Sequence, residues 1–329
     1  MSVLSFLTDL EQRQIRLWAD GDQLRCNAPV GVLTPLLRGE LKQRKEEILA
    51  FLRAAEESSQ GPRAIVPLQR SGTQPPVFAV PGHNGDVFTF RTLAEHLGDD
   101  QPFFGLQPPG LDVHSQPITR VEDLADYFAN QVLAAHSGGP CIVAAYCAGG
   151  SAAFELAQRL QKNGVDVRLL ALFGCRFPIS YRWLWGWKHV ALTHAHRMAA
   201  RRSVAGVLGY LAQVWENRRA AREEAAHVAH DPVIMRRSRL ESITLSAVRH
   251  YQPTRFEGRA ALFLPNSLWA RSGTMPLKWR SIISSTDVYC GPDDVTMDVM
   301  LREPSASTFA DFFRQARDRA TAHQPNRSS

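Results

Sequence analysis

No CxxC pair occurs in this chain of 329 residues, and its five cysteines, Cys26, Cys141, Cys147, Cys175 and Cys290, are scattered and odd in number. That spacing excludes a disulfide framework and offers no zinc-ligand set, so no metal is expected. Apolar runs stay short of the roughly 18 residues that a membrane span needs, and no membrane segment is expected. The opening MSVLSFLTDLEQRQ places acids early and lacks a small-residue cleavage site, which argues against a secretory leader. A reducing, cytoplasmic setting is the expectation. Acids are scarce in one stretch: between Arg176 and Arg222 nine basic residues accompany a single acid, Glu216, within a net charge of +6. Such a field suits an acidic partner or a phosphate. No nucleic-acid motif accompanies it, so nucleic acid is not the expected partner. Histidine is missing between His250 and His323, which limits the choice of catalytic base.

What is present falls into two parts. In residues 1–53, Leu4–Gln12 has an amphipathic helical pattern. IRLWADGDQLRCNAP alternates around Asp20-Gly21, a hairpin signal. TPLLRGELKQRKEEILAFLR opens with a threonine cap and a first-turn proline and predicts a helix to about Arg53. Cys26 is expected in the core of this αββα module. Residues 54–62, AAEESSQGP, form a linker. Residues 63–318 alternate strand and helix patterns: PPVFAVPG, PFFGLQPPG, PCIVAAY, VRLLALFG, GRAALFLPN and STDVYCG predict strands, with helical segments between them. Repeated β-α units predict an α/β domain with a doubly wound, mostly parallel sheet. Residues 177–250 interrupt the alternation with tryptophan-rich, basic, helical sequence. SASTFADFFRQARDRA predicts a closing helix, the domain is bounded near residue 318, and 319–329 are expected to be disordered.

The chemistry concentrates in AAYCAGG, residues 144–150. A buried strand turns sharply there into a helix, the pattern of a nucleophile elbow, usually Gly-x-Ser-x-Gly. Cys147 stands where serine is common, Ala145 takes the first glycine position and Gly149 the second. A helix N-terminus beneath the sulfur is expected to lower its pKa. VPGHNGD, residues 80–86, likewise follows a strand and precedes a helix. Such a loop supplies one oxyanion N–H and the residue after the nucleophile supplies the other, so the amide of His83 or Asn84 and the amide of Ala148 are the candidates.

Two resemblances follow from these residues. IRLWADGDQLRCNAPVGVLTPLLRGEL and RKEEILAFL resemble the N-terminal docking domains of nonribosomal peptide and polyketide synthetase subunits, of the type first recognised in tubulysin assembly. The resemblance implies binding of a short linear peptide from a partner synthetase subunit, taken as an added strand on the hairpin edge. VFAVPGHNGDVFTF, FFGLQPPG, RVEDLADYFANQV, AAYCAGGSAAFELAQRL and HYQPTRFEGRAALFLPN resemble the thioesterase domains of nonribosomal peptide synthetases. That implies an α/β-hydrolase fold with a helical lid over about 177–250. With cysteine for serine the chain is similar to the stand-alone aminoacyltransferases of the syringomycin and coronamic acid type, which move aminoacyl groups between carrier proteins through a cysteine thioester.

The resemblance also marks departures. The family's acid follows the strand after the elbow helix; here that stretch is LALFGC, with Gly174 or a neighbour in its place. The family's histidine comes in a late turn; here the turn is GPDD, with Asp293 or Asp294. Asp294 is a candidate proton relay and His83 a candidate base. His189, His194, His196, His227, His230 and His250 are weaker candidates, and Asn266 could orient a partner. Trp183, Trp185 and Trp187 either line an acyl pocket or pack the lid. No cofactor is expected to be bound; phosphopantetheine arrives on acyl or peptidyl carrier proteins, the implied partners. The expected function is acyl or aminoacyl transfer between carrier domains through Cys147. The alternatives are a thioesterase that hydrolyses, releases or cyclises carrier-bound acyl groups, and an inactive docking scaffold.

Overall fold

The computed structural model describes Phe6, Leu10 and residues 15–20, 23–28 and 34–49 of the N-terminal part, and residues 64–111, 115–136, 138–181 and 232–322 beyond it. The chain divides into two units, Met1–Arg63 and Ala64–Ser329.

In the first unit β1 (Arg16–Asp20) and β2 (Gln23–Asn27) pair antiparallel as a hairpin, with Leu17 opposite Cys26. Helix α1 (Pro35–Gln43) starts as its sequence predicts: the Thr34 side chain accepts from the Leu37 amide at 3.3 Å and proline occupies the first turn. Leu37, Leu41, Ile48, Ile15, Phe6 and Leu10 form a small core, with Leu17 and Leu24 packed against it. Cys26 is a correction: it is exposed, because although it stands opposite Leu17 it lines an open groove beside Arg38 and Lys42 and is not packed in the core.

In the second unit the strand residues sort into two buried sets with the two-residue period of a pleated strand. Phe78, Val80, Val143, Ala145, Leu170 and Leu172 face one side. Val77, Ala79, Ile142, Ala144, Leu169 and Ala171 face the other. Both faces need cover, which produces a helix layer on each side. The strands are β3 (Ile65–Gln69), β4 (Val77–Val80), β5 (Phe103–Leu106), β6 (Pro140–Tyr146), β7 (Asp166–Phe173), β8 (Phe256–Leu264) and β9 (Ile283–Cys290). They form a seven-stranded sheet in the order β3-β5-β4-β6-β7-β8-β9, parallel except for β3, which runs antiparallel to β5. Sequence patterning missed β3, since Pro67 sits within it. The strand is at the sheet edge, where a missing N–H is tolerated, and its register slips between Pro67 and Gln69.

Helices α2 (Arg91–Leu97), α3 (Val121–Ala135), α4 (Gly150–Lys162), α5 (Pro232–His250) and α6 (Ala306–Ala322) surround the sheet. The core on one face takes α3, α4 and the end of α5; the core on the other takes α2 and α6. The closing helix runs past the domain boundary expected at residue 318, because Phe309, Phe313, Ala316 and Ala320 continue one buried stripe. The segment expected as a lid is split: residues 182–231 lie outside the described residues, whereas α5 packs on the domain through Val248, with Tyr251 just past its end. Tyr251 donates to a Glu155 carboxylate oxygen at 2.6 Å, and Arg159 pairs with Glu155. That buried hydroxyl is pushed upward in pKa by burial and by the carboxylate it serves.

Candidate functional site

β6 ends at Tyr146, and Cys147 follows with φ of 54°, a left-handed value that a non-glycine residue adopts only at a cost. A short 3-10 turn, Cys147–Gly149, then feeds α4. The tight turn explains its small residues. A Cβ on Gly149 would stand 2.1 Å from the Pro81 carbonyl oxygen, and one on Gly150 would stand 2.7 Å from the Cys175 Cβ. The elbow is therefore pressed against the loop after β4 on one side and the segment after β7 on the other. Cys175 packs in that seam, its thiol directed at the carbonyls of Ala145 and Phe173 at 3.5 and 3.4 Å.

The loop after β4 is built by its own side chains. Gly85 donates to the Gly82 carbonyl at 3.0 Å, and the Asn84 side chain accepts from the Asp86 amide at 3.2 Å. Asp86 in turn caps the next turn through the Phe88 amide at 3.1 Å. This places Gly82 against the elbow, where its Cβ would meet that of Cys147 at 3.6 Å. Among the described residues no acceptor takes the backbone N–H of His83 or Asn84. The Ala148 amide points at the Cys147 sulfur and favours its thiolate.

Cys147 is 5% exposed. Burial is the largest influence on its thiol and raises the pKa above the ordinary value. The Ala148 amide, the Arg176 guanidinium and the Tyr181 hydroxyl pull it down, and the Glu241 charge adds to the rise. The expected lowering by the elbow helix is thus corrected: desolvation in a sealed turn outweighs the local donors. Arg176 stacks over the Tyr181 ring at 4.7 Å. Its Nε and the Tyr181 hydroxyl are buried and have no further hydrogen-bond partner among the described residues.

His83 is the candidate base that the structure brings to the thiol. Its Nδ1 lies 3.8 Å from Cys147 Sγ. Its Nε2 lies 3.2 Å from Glu241 Oε1 on α5, a residue that sequence reasoning did not single out. Asp294 is elsewhere: it is exposed in the turn after β9, and among the described residues no contact joins it to Cys147 or His83. Neighbouring Asp293 accepts from Ser267 at 3.0 Å. Asn266 caps a one-turn helix through the Trp269 amide at 2.8 Å and donates to the Val295 carbonyl at 2.7 Å, a structural employment. His250 points back at the Ser246 carbonyl on its own helix at 2.8 Å. Trp183, Trp185 and Trp187, with His189, His194, His196, His227 and His230, lie outside the described residues.

Gly174, one of the positions where the resemblance expects an acid, is tightly crowded. Gly174 has φ of +55°, and a Cβ there would stand 2.8 Å from Met297 Cγ and 3.2 Å from Met300 Sδ. Tyr146 holds Met297 in place by donating to its carbonyl at 2.7 Å. Beside the elbow a narrow, mainly apolar cleft lies between Gly82, Ala148, Leu124, Phe128, Thr244 and Val248. Among the described residues no cluster of His, Cys, Asp and Glu could hold a metal, and no helix is long and apolar enough to cross a membrane.

A seven-stranded, mostly parallel sheet with a nucleophile elbow after β6 and an N–H-bearing loop after β4 defines an α/β-hydrolase domain. Residues 75–237 match the thioesterase domain family and residues 3–54 match the TubC N-terminal docking domain family, and these two segments belong to those families. Chondramide synthase cmdD of Chondromyces crocatus is 35% identical over 114 residues, which is 35% of this chain and 3% of that protein. Nonribosomal peptide synthetase apvA of Aspergillus terreus is 33% identical over 134 residues, 40% of this chain and 14% of that protein. The chain thus spans only a small part of the curated relatives it matches. Among solved structures, the Vlm2 thioesterase domain bound with a dodecadepsipeptide is 20% identical with a TM-score of 0.54, over 77% of this chain and 97% of that one. The NocB thioesterase domain from the nocardicin cluster is 17% identical with a TM-score of 0.56, over 77% and 98%. At such identities these two structures speak for the fold alone.

Proposed function

We propose that Cys147 accepts an acyl or aminoacyl group from one phosphopantetheinyl carrier domain as a thioester and passes it to a second, in nonribosomal peptide or polyketide assembly. The observation that supports this reading is a cysteine at the elbow of a thioesterase domain in which Gly174, at or beside the place where the resemblance expects an acid, has no side chain and is crowded by Met297 and Met300. Loading begins when the Cys147 sulfur, its proton passed to His83, attacks the donor's thioester carbon. The oxyanion is held by the Ala148 amide and by the amide of His83 or Asn84. The intermediate collapses by breaking the bond to the phosphopantetheine sulfur, which leaves with the proton from His83. The same steps in reverse discharge the group onto an acceptor thiol.

One thioester replaces another, so the cargo keeps its transfer potential; an oxoester on serine would be a poorer donor to a thiol. Selectivity against water follows from acidity. A thiol, with a pKa of about 8.5, is far more acidic than water, so an incoming thiol needs far less help from a base. The TubC-type unit would hold the enzyme beside its synthetase and raise the effective concentration of carrier. Its groove has a floor of Leu17, Leu24 and Leu41 and a rim of Arg38, Lys42 and Lys45, which fits an acidic peptide with apolar anchors.

A second reading, hydrolytic release, is favoured by the His83–Glu241 pair, since a positioned base could also activate water. Intact-mass analysis of the protein mixed with acyl-loaded donor carrier and empty acceptor carrier separates them. Acyl-Cys147 and charged acceptor support transfer; free acid with an empty acceptor supports release. Absence of any adduct, in wild type as in Cys147→Ala, leaves only the docking scaffold.

A further inference from the structure

A thiol kept protonated by burial needs a proton acceptor in range before it can react, and the geometry around His83 meets that need. A carboxylate can only accept, so the Glu241 contact at 3.2 Å requires the proton of the neutral ring on Nε2. That leaves the lone pair on Nδ1, the atom 3.8 Å from the Cys147 sulfur.

The position of Glu241 is set by packing. Leu240 is buried, and its Cδ2 lies 2.7 Å from where a Cβ on Gly85 would stand. Gly85 has φ of +72°, so the loop that carries His83 is shaped to receive this leucine. Arg239 donates to Gln116 at 3.2 Å. Glu241, Thr244 and Val248 follow one another at helical spacing, and the latter two line the cleft beside Ala148. With α5 seated by Leu240 and Val248, its carboxylate meets the ring from the side away from the thiol.

We propose that Glu241 is the positioning residue of the site: it orients His83 so that Nδ1 faces Cys147, and it stabilises the imidazolium that forms when the thiol gives up its proton. In that step the S–H bond breaks, an N–H bond forms on Nδ1, the sulfur keeps the electron pair and Glu241 stays a carboxylate. The acid arm of the site therefore comes from α5 and its base from the loop after β4, instead of from the segments after β7 and β9. The assignment rests on the reading of Cys147 as nucleophile.

Two effects of Glu241 on the thiol have opposite signs, and this makes the assignment testable. As a bare negative charge Glu241 disfavours the thiolate; acting through His83 it favours it. The other groups facing the sulfur are Tyr181, Arg176 and Cys175. The experiment measures the pH dependence of Cys147 alkylation by iodoacetamide on the full chain. It is read on the Cys147 peptide by mass spectrometry, because Cys26 and Cys290 are exposed and also react. Glu241→Gln is expected to move the midpoint upward by about one pH unit and to slow alkylation at neutral pH about tenfold. Glu241→Asp should restore most of the rate. In a His83→Ala background Glu241→Gln should no longer slow the reaction. Faster or unchanged alkylation in Glu241→Gln, or equal slowing with and without His83, overturns the assignment. Alkylation involves no acyl group, so that result stands apart from acyl loading. Loss of the Glu241 effect with loading intact removes this assignment alone, whereas absence of acyl-Cys147 in the wild type removes the nucleophile.

Discussion

Met297 occupies the space that a side chain at Gly174 would need: its Cγ lies 2.8 Å from the Cβ position, and the glycine backbone has φ of +55°. Restoring an aspartate there should therefore fail as a repair of the family's acid. Gly174→Asp is expected to destabilise the domain by about 1–3 kcal/mol through overpacking against the two methionines. It should add no hydrolytic turnover. Thermal unfolding checks the first outcome and free-acid release from a loaded carrier checks the second.

Cys147→Ser separates loading from discharge. The hydroxyl is far less acidic than the thiol, and the ester it forms lies downhill from a thioester. Loading should slow, and whatever serine ester forms should persist while charged acceptor falls by more than the loading rate does. Intact-mass time courses with both carriers follow the two species. Equal rates of acceptor charging in wild type and variant would rule out a thioester intermediate that matters for transfer.

Much of the fold was legible because apolar runs of four to nine residues bounded by turns can only be buried strands in so regular an alternation. The elbow was legible for the same reason, since Cys147 sits between a buried run and two glycines. Three features were not. Glu241 lies far along the chain from His83, in a basic amphipathic segment whose polar residues all looked like solvated surface; only the seating of Leu240 on Gly85 brings it to the imidazole. The sign of the Cys147 shift was misjudged because the sequence displays the helix start beneath the sulfur but not the depth of its burial. Edge strand β3 was hidden by Pro67, whose tolerance depends on which side of β5 the strand lands.

Cys141 gives a pH prediction that is independent of catalysis. Burial within β6, helped by the Asp166 charge, pushes its thiol up to about 12. A raised folded-state pKa contributes stability that is fully present below the unfolded value and is lost as pH rises through the folded one. The window therefore runs from about pH 9 upward. By about pH 11 this one thiol should lower stability by about 2–3 kcal/mol relative to neutral pH. Cys141→Val removes the titrating group and keeps an apolar side chain in the strand. Urea unfolding of the two proteins at neutral pH and near pH 11 should show a smaller alkaline loss for the variant; parallel losses would mean that other groups account for the alkaline transition.

Gly149 tests whether the elbow and the loop after β4 act as one unit. An alanine there would place Cβ 2.1 Å from the Pro81 carbonyl oxygen and 2.8 Å from that of Val80, both backbone atoms that no side-chain rotation can relieve. Something must move, and the backbone atoms met belong to Val80 and Pro81, so the displacement is carried into the adjoining loop of Gly82, His83 and Asn84. Its displacement would withdraw one oxyanion amide and lengthen the His83 contact together. Gly149→Ala should therefore cost about 10²-fold or more in acyl loading, the scale of a lost oxyanion donor. Gly82→Ala serves as the control, because its Cβ would meet the Tyr146 ring at 3.4 Å and Cys147 Cβ at 3.6 Å, ordinary contacts that ask for little movement. Comparable loss in both variants would mean that the loop tolerates no added bulk anywhere; loss confined to Gly149→Ala would tie catalysis to the single close approach between the elbow and Pro81.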